Sequence, residues 1–395
     1  MTDRPLQILL HFQDRFAGWG GGLIYLRAVM AVLDRQPVAD RPDIVVFDDL
    51  PEAVGATLRE SWSLPVVAVV LAPDGTIHHC RDATTRSTLE ALPPPERRRT
   101  LARQADAIYP VMPGDAYPVN PKHWLWIPDF QHRHLPQFFT PEDWNAREAR
   151  FRDLLARPCP LILSSQAALD DLRHFYPDHA TVPHVWHFRS LAQPQSAARL
   201  QEVRQRYDLP ARFLFIPNQF WGHKDHATAF RALALLREHG GEIDLICTGG
   251  KEDHRDPGHY DRLFAQVADW GLQSSLRHLG SIPHGDVMAC LLMATCILQP
   301  SRFEGWSTLV EDALALGVPL VATDLPVHRE QIGQGGHFFS PGDAEGLAAL
   351  LASLLPSLPD SQPETKVLAA AAAYDALRAE AGAALLALMR AENQG

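Results

Sequence analysis

One pattern constrains this chain more than any other. Short apolar runs alternate with longer helical segments, and the alternation stops once and then restarts. The first series of strand candidates is LQILLHF (6–12), DIVVFDD (43–49), PVVAVVLA (65–72), AIYPVM (107–112), HWLWIPD (123–129), PLILSS (160–165) and TVPHVWHF (181–188). A polar, strandless stretch, QPQSAARLQEVRQRYDLPAR at 193–212, interrupts it and reads as a linker. The second series is RFLFIPN (212–218), EIDLICTGG (242–250), LRHLG (276–280), CILQPS (296–301), PLVATD (319–324) and GHFFS (336–340). Apolar strands separated by helix-length segments form parallel sheets covered on both faces. The expectation is two doubly wound α/β domains, 1–200 and 201–375, with an alanine-rich helix whose end, 376–395, closes back on the first.

A length of 395 residues exceeds what one core organises, in agreement with two domains. The net charge of −11 argues against nucleic acid as a partner, because such binding rests on a basic face that neutralises phosphates. The basic cluster ERRRTLAR (96–103) reads as the solvated face of a helix. Five scattered cysteines without a CxxC spacing disfavour a disulfide framework and a zinc site, and fit a reducing cytoplasm. No apolar run reaches the roughly 20 residues needed to cross a bilayer, so any membrane contact is expected to be peripheral, at the inner face.

Three segments carry the candidate chemistry. In DRFAGWGGGLIYLRAVMAVL, glycines including Gly21 and Gly22 lie between the first strand and a helix. They serve either a backbone approaching a phosphate or a tight turn, and they do not form GxGxxG. In FIPNQFWGHKDHATAF, Lys224 stands at a helix entrance, where an ammonium neutralises a diphosphate as a point charge. The flanking His223 and His226 lack a third ligand, so no metal site is expected. Asp48 and Asp49 in FDDL read as the polar end of a strand. The third segment, RFEGWSTLVEDALALG (302–317), holds three carboxylates. Thr308 and Glu311 have capping-box spacing, which assigns Glu311 to the helix end. Asp312 points about 100° away. The amides of Trp306, Ser307 and Thr308 are placed to receive a phosphate, with Glu304 just ahead of them.

With these residues the chain resembles the retaining nucleotide-sugar glycosyltransferases of family 4, whose architecture, GT-B, sets two Rossmann-like domains facing across a cleft. The most specific match is the family's E-x7-E motif, represented by Glu304 and Asp312, followed by small residues, Gly317 and Pro319. Here the second glutamate is an aspartate. The resemblance implies a donor site of Gly21, Gly22, Asn218, Gln219, Lys224, Glu304, Gly305, Trp306, Ser307, Thr308 and Asp312, with Lys224 and Glu304 in catalysis. The family's phosphate-binding arginine is Gln219 here, which puts Arg302 forward as a substitute cation. The first domain is then the acceptor side, with Asp129 and His132 in WIPDFQHRHLPQFF (126–139) as its candidates.

The activity so implied is metal-independent transfer of a hexose from GDP or UDP to a glycan, lipid-linked or small-molecule acceptor, without a cofactor, in bacterial surface or exopolysaccharide synthesis. A non-catalytic nucleotide- or glycan-binding scaffold and a sugar-nucleotide epimerase are the alternatives on the same fold.

Overall fold

The structure is a computed structural model that describes residues 4–59, 66–71, 75–115, 120 and 122–392. It divides into two compact units. The first comprises Met1–Phe130, Asn145–Leu191 and Asp375–Gly395, and the second Gln131–Trp144 and Ala192–Tyr374.

In the first unit, strands β1 (Gln7–Phe12), β2 (Asp43–Asp48), β3 (Val66–Leu71), β4 (Ile77–Cys80), β5 (Ala107–Val111), β6 (His123–Ile127), β7 (Pro160–Leu163) and β8 (Val182–Val185) form one sheet. Its order is β4-β3-β2-β1-β5-β6-β7-β8. All neighbours are parallel except β3 and β4. Strand β4, IHHC, escapes the apolar pattern because it is a short edge strand whose two histidines are exposed.

The second unit holds β9 (Phe213–Ile216), β10 (Asp244–Cys247), β11 (Leu276–His278), β12 (Cys296–Gln299), β13 (Leu320–Thr323) and β14 (His337–Phe339). They run parallel in the order β11-β10-β9-β12-β13-β14. Chain direction across the sheet reverses between β9 and β12, and ligands of such sheets bind outside the carboxyl ends of the strands at that reversal. One face is sealed by Phe230, Leu233 and Leu236 of helix His226–Glu238, packed with Leu347 and Leu351 of helix Ala344–Leu354.

The domain boundaries need two corrections. The break falls at 191/192 rather than 200/201, because helix Ala197–Arg206 is tied to the second unit through Arg199 and Arg206, which both bind the buried Asp286. Residues 131–144 also belong to the second unit, although the strand pattern assigns them to the first. Their anchor is Arg255. Its Nη1 donates to Gln131 Oε1 (3.2 Å), and its guanidinium lies 5.9 Å and 5.7 Å from the ring centres of Phe138 and Phe139. A Cβ on Gly222 would stand 2.7 Å from Phe138 Cε1, so glycine admits that ring.

The last helix, Glu364–Glu392, is shared between the units at 374/375. In the first unit Gln36 Nε2 donates to Ala379 O (2.9 Å), Trp186 Nε1 to Ala381 O (2.8 Å) and the buried Arg378 to Ser190 O (2.7 Å). A Cβ at Gly382 would lie 2.1 Å from Val32 O, so the small residues allow close helix packing. No helix among the described residues is long and apolar enough to cross a membrane.

Candidate active site

The carboxyl ends of β9 and β12 lead into two loops that meet. After β9 the chain forms a single 3-10 turn, Gly222–Lys224, and then Asp225 in the left-handed region (φ 50°) before helix His226–Glu238. An aspartate tolerates that conformation better than bulkier residues do. It is held there by Arg302, whose Nε and Nη2 donate to its two oxygens (2.9 and 3.2 Å), and by Thr228 Oγ1 (2.7 Å). Arg302 is therefore engaged as the clamp on this turn, and the expected substitute cation is already paired with Asp225.

Lys224 Nζ reaches Glu304 Oε1 at 2.6 Å, with both side chains mostly buried. The same oxygen accepts from Gln299 Nε2 (2.8 Å). Gln299, fully buried at the end of β12, also donates to Ser307 Oγ (2.9 Å) and accepts from Asn218 Nδ2 (2.9 Å). Thus Asn218, Lys224, Glu304 and Ser307 form one network, with Gln299 as its hub. Burial works against ionisation of Glu304, but the charge and hydrogen bond of Lys224 outweigh it and hold the carboxyl below its ordinary range.

The helix Thr308–Leu316 is capped differently from the expectation. Its N-cap is Ser307, whose Oγ accepts from Val310 N (3.3 Å). Ser307 N itself donates to Gln331 Oε1 (3.1 Å), so that amide is already used. The first-turn amides of Thr308 and Leu309 have no intrahelical acceptor by geometry. Glu311 is not the cap. It is fully buried, bonded to Tyr374 Oη, and accepts from Gln331 Nε2 (3.2 Å). Serine ahead of threonine shifts the cap by one position, which turns Glu311 inward. Asp312 and Thr308 of the same helix are half-buried, as is Gly305 in the loop ahead of it, while Trp306 is buried.

Gln219 is exposed, and its Oε1 accepts from Gly250 N (2.6 Å). Beside it, Gly249 has φ 123° and would place a Cβ 2.3 Å from Asn218 O, so the β9 and β10 loops touch through backbone. His223 is buried, and its Nδ1 lies 3.2 Å from Arg255 Nη2. Burial first, and then the charge of Lys224, push its pKa down to about 3. His226 is fully buried, stacked on Phe220 with ring centres 4.1 Å apart, and burial pushes it to about 3 as well. The two histidines thus face different neighbours. No cluster of three or more metal-ligating side chains occurs among the described residues.

The remaining candidates separate. Asp129 is in the first unit, 3.4 Å from Arg147 Nη2, whereas His132 is in the second, fully buried, its carbonyl accepting from Trp144 Nε1 (2.9 Å). In the first unit, Gly22 lies in the first turn of helix Gly20–Asp34 under the rings of Phe16 and Trp19, where a Cβ would come within 2.4 and 2.5 Å of them. Packing alone requires that glycine. At Gly21 the nearest atom is Trp19 Nε1, at 3.0 Å. Asp48 accepts from Leu50 N (3.1 Å), and Asp49 pairs with His11 (2.7 Å) and Arg98. Arg97 donates to the carbonyls of Leu89, Leu92 and Gly75. The basic cluster is thus only partly a solvated face.

Sequence reasoning misses Gln299, Gln331 and Tyr374. A glutamine closing an apolar strand is a usable signal for the first. Tyr374 meets Glu311 from 63 positions away, and no local pattern shows that.

Residues 201–364 match the family model described as Glycosyl transferases group 1. The chain is 29% identical over 263 residues to O-antigen chain mannosyltransferase B of Escherichia coli, covering 58% of this chain and 68% of that protein. It is 27% identical over 142 residues to a glycogen synthase of Mycobacterium tuberculosis, covering 35% of this chain and 33% of that one. Among solved structures, HepE of Anabaena in complex with UDP and glucose is similar at a TM-score of 0.64 and 17% identity, over 98% of this chain and 99% of that one. The two sheets, parallel apart from the β3–β4 pair, and the last helix are those of the GT-B fold, and the residues that match the glycosyl transferases group 1 model, 201–364, lie within the second unit.

Proposed function

We propose that the chain is a retaining, metal-independent hexosyltransferase of family 4 that uses a GDP- or UDP-linked donor. The observation that carries this reading is the Lys224–Glu304 pair, set at the strand-order reversal beside the open first turn of helix Thr308–Leu316. Cleaving a sugar-phosphate bond builds negative charge on the departing diphosphate. An ammonium and helix N-terminal amides, fixed in advance, stabilise that charge without reorganising. Lys224 is the leaving-group cation, and the Thr308 and Leu309 amides are the dipolar contribution.

Glu304 orients Lys224 and accepts from sugar hydroxyls, held by Gln299. Asn218 fixes Gln299, Ser307 caps the helix, and Gly305, Trp306 and Asp312 border the donor. Gly21 and Gly22 would serve on the phosphate side, and Asp129 and His132 on the acceptor side. The acceptor is a glycan, a lipid-linked sugar or a small molecule. Similarity to an O-antigen mannosyltransferase supports a place in bacterial surface polysaccharide assembly, which on this proposal is carried out on the cytoplasmic side with at most peripheral membrane contact.

The test is a thermal-shift screen of GDP, UDP and their hexose conjugates, since a cognate donor raises stability by mass action. It is followed by product analysis and NMR of the anomeric configuration. Donor consumption with retention supports the reading. Binding without consumption of any donor in the presence of acceptors replaces it with the scaffold, and donor isomerisation without acceptor replaces it with the epimerase.

A further inference from the structure

Two polar atoms of the second unit, beyond the ends of β12 and β13, are buried without a hydrogen-bond partner among the described residues: Ser301 Oγ and His328 Nε2. Both residues are fully buried. They are joined through Thr323 at the end of β13, whose Oγ1 donates to Ser301 O (2.6 Å) and lies 3.2 Å from His328 Nδ1. Burial of such atoms is unfavourable unless something satisfies them.

The chemistry of the missing partner can be read from the other ring nitrogen. His328 Nδ1 lies 2.8 Å from Thr323 O, and a carbonyl oxygen only accepts, so Nδ1 carries the hydrogen. Burial keeps the ring neutral although Glu304 acts in the opposite sense. Nε2 of that tautomer is an acceptor and needs a donor. A diphosphate at neutral pH offers only acceptors and cannot supply one. A hydroxyl can donate to Nε2 and still accept from Ser301 Oγ or the Lys224 ammonium. Thr323 Oγ1 also lies 3.4 Å from the carbonyl of Gln299, whose side chain holds Glu304, and Glu304 and Lys224 both act electrostatically on this imidazole, which puts the imidazole next to the proposed site of bond cleavage.

We infer that His328 Nε2 and Ser301 Oγ form a subsite for a hydroxyl of the transferred sugar, distinct from the contacts that hold the nucleotide. This rests on the nucleotide-sugar reading above, and it assigns His328 to recognition of the sugar.

The test compares His328→Phe, which keeps a ring but removes the acceptor, and His328→Gln, which keeps an acceptor oxygen, with Ser301→Ala and the unaltered protein. Calorimetric titration uses UDP, GDP, UDP-glucose and GDP-mannose. His328→Phe should bind the preferred nucleoside diphosphate as the unaltered protein does, but bind its sugar conjugate about tenfold or more weakly, the cost of one lost buried hydrogen bond. His328→Gln should recover part of that loss. Among monodeoxy donor analogues, one should bind the unaltered protein and His328→Phe equally, identifying the hydroxyl.

Equal loss of diphosphate and sugar conjugate in soluble variants of unchanged melting temperature overturns the inference, as does equal binding of the conjugate by His328→Phe and the unaltered protein, which would leave a buried water as the occupant. If the unaltered protein binds none of the four probes, the nucleotide-sugar reading itself fails, a result distinguishable from either of these.

Discussion

Replacing Lys224 with methionine isolates the ion pair at the centre of the site. The ammonium is 2.6 Å from Glu304 Oε1, and the side chains are only 15% and 11% exposed. Without it, the carboxylate keeps one neutral donor, Gln299 Nε2 at 2.8 Å. Removing one partner of a buried pair costs about 3–5 kcal/mol, and the residual exposure with the Gln299 bond places the expectation near 3 kcal/mol. Glu304→Gln alone strands the ammonium at a similar cost. The double variant Lys224→Met/Glu304→Gln strands neither charge and should lie within about 1 kcal/mol of the unaltered protein, a coupling of about 5 kcal/mol.

The pH dependence gives an independent check. In the unaltered protein Glu304 is held below its ordinary pKa, so its contribution is present above about pH 4.3 and is lost on acidification. In Lys224→Met burial acts without the counter-charge and the folded pKa rises. The folded state then takes up a proton before the unfolded chain does, and the deficit should shrink between pH 7 and 5. Urea denaturation of the four proteins at both pH values measures these quantities. A coupling below about 0.5 kcal/mol, with a deficit independent of pH, would show that the two groups are solvated separately and refute the reasoning. Turnover should not follow stability. The double variant lacks the proposed leaving-group cation and should remain about 100-fold slower or worse even though its fold is restored.

Two further outcomes are expected. His226 titrates at about 3 in the folded state against about 6.5 unfolded, so stability is full above pH 6.5 and falls as the unfolded chain protonates first. That loss is about 2 kcal/mol at pH 5, and His226→Phe should remove it from the pH 7 to pH 5 difference in denaturation midpoints, whereas an unchanged difference counts against burial as the cause. Tyr374→Phe should cost about 1–3 kcal/mol by leaving Glu311 Oε2 without its hydroxyl donor. An unchanged melting temperature would contradict a stabilising role for that bond.

Periodicity in the sequence reveals nearly every strand, since an apolar run flanked by turn residues reports burial on both sheet faces. It misses β4, whose exposed histidines carry no apolar signal. The Glu304 and Lys224 segments are legible because their loops follow apolar strands and precede helices. Their pairing is not, because 80 residues separate them. The cap at Ser307 shows the limit of local rules: two adjacent hydroxyl residues satisfy the same motif, and only the placed backbone chooses between them.

By itself, then, the sequence determined the α/β class, the two-part organisation and the loops in which the candidate chemistry lies, because these depend on periodicity and local turn chemistry. Only the tertiary structure decided that Arg302 clamps Asp225, that Gln299 joins Asn218, Glu304 and Ser307, that Glu311 turns toward Tyr374, and that residues 131–144 fold with the second unit. The physical reason is common to all four. Each depends on which buried polar group lies within hydrogen-bond reach of which other, and that follows from how distant strands and helices pack.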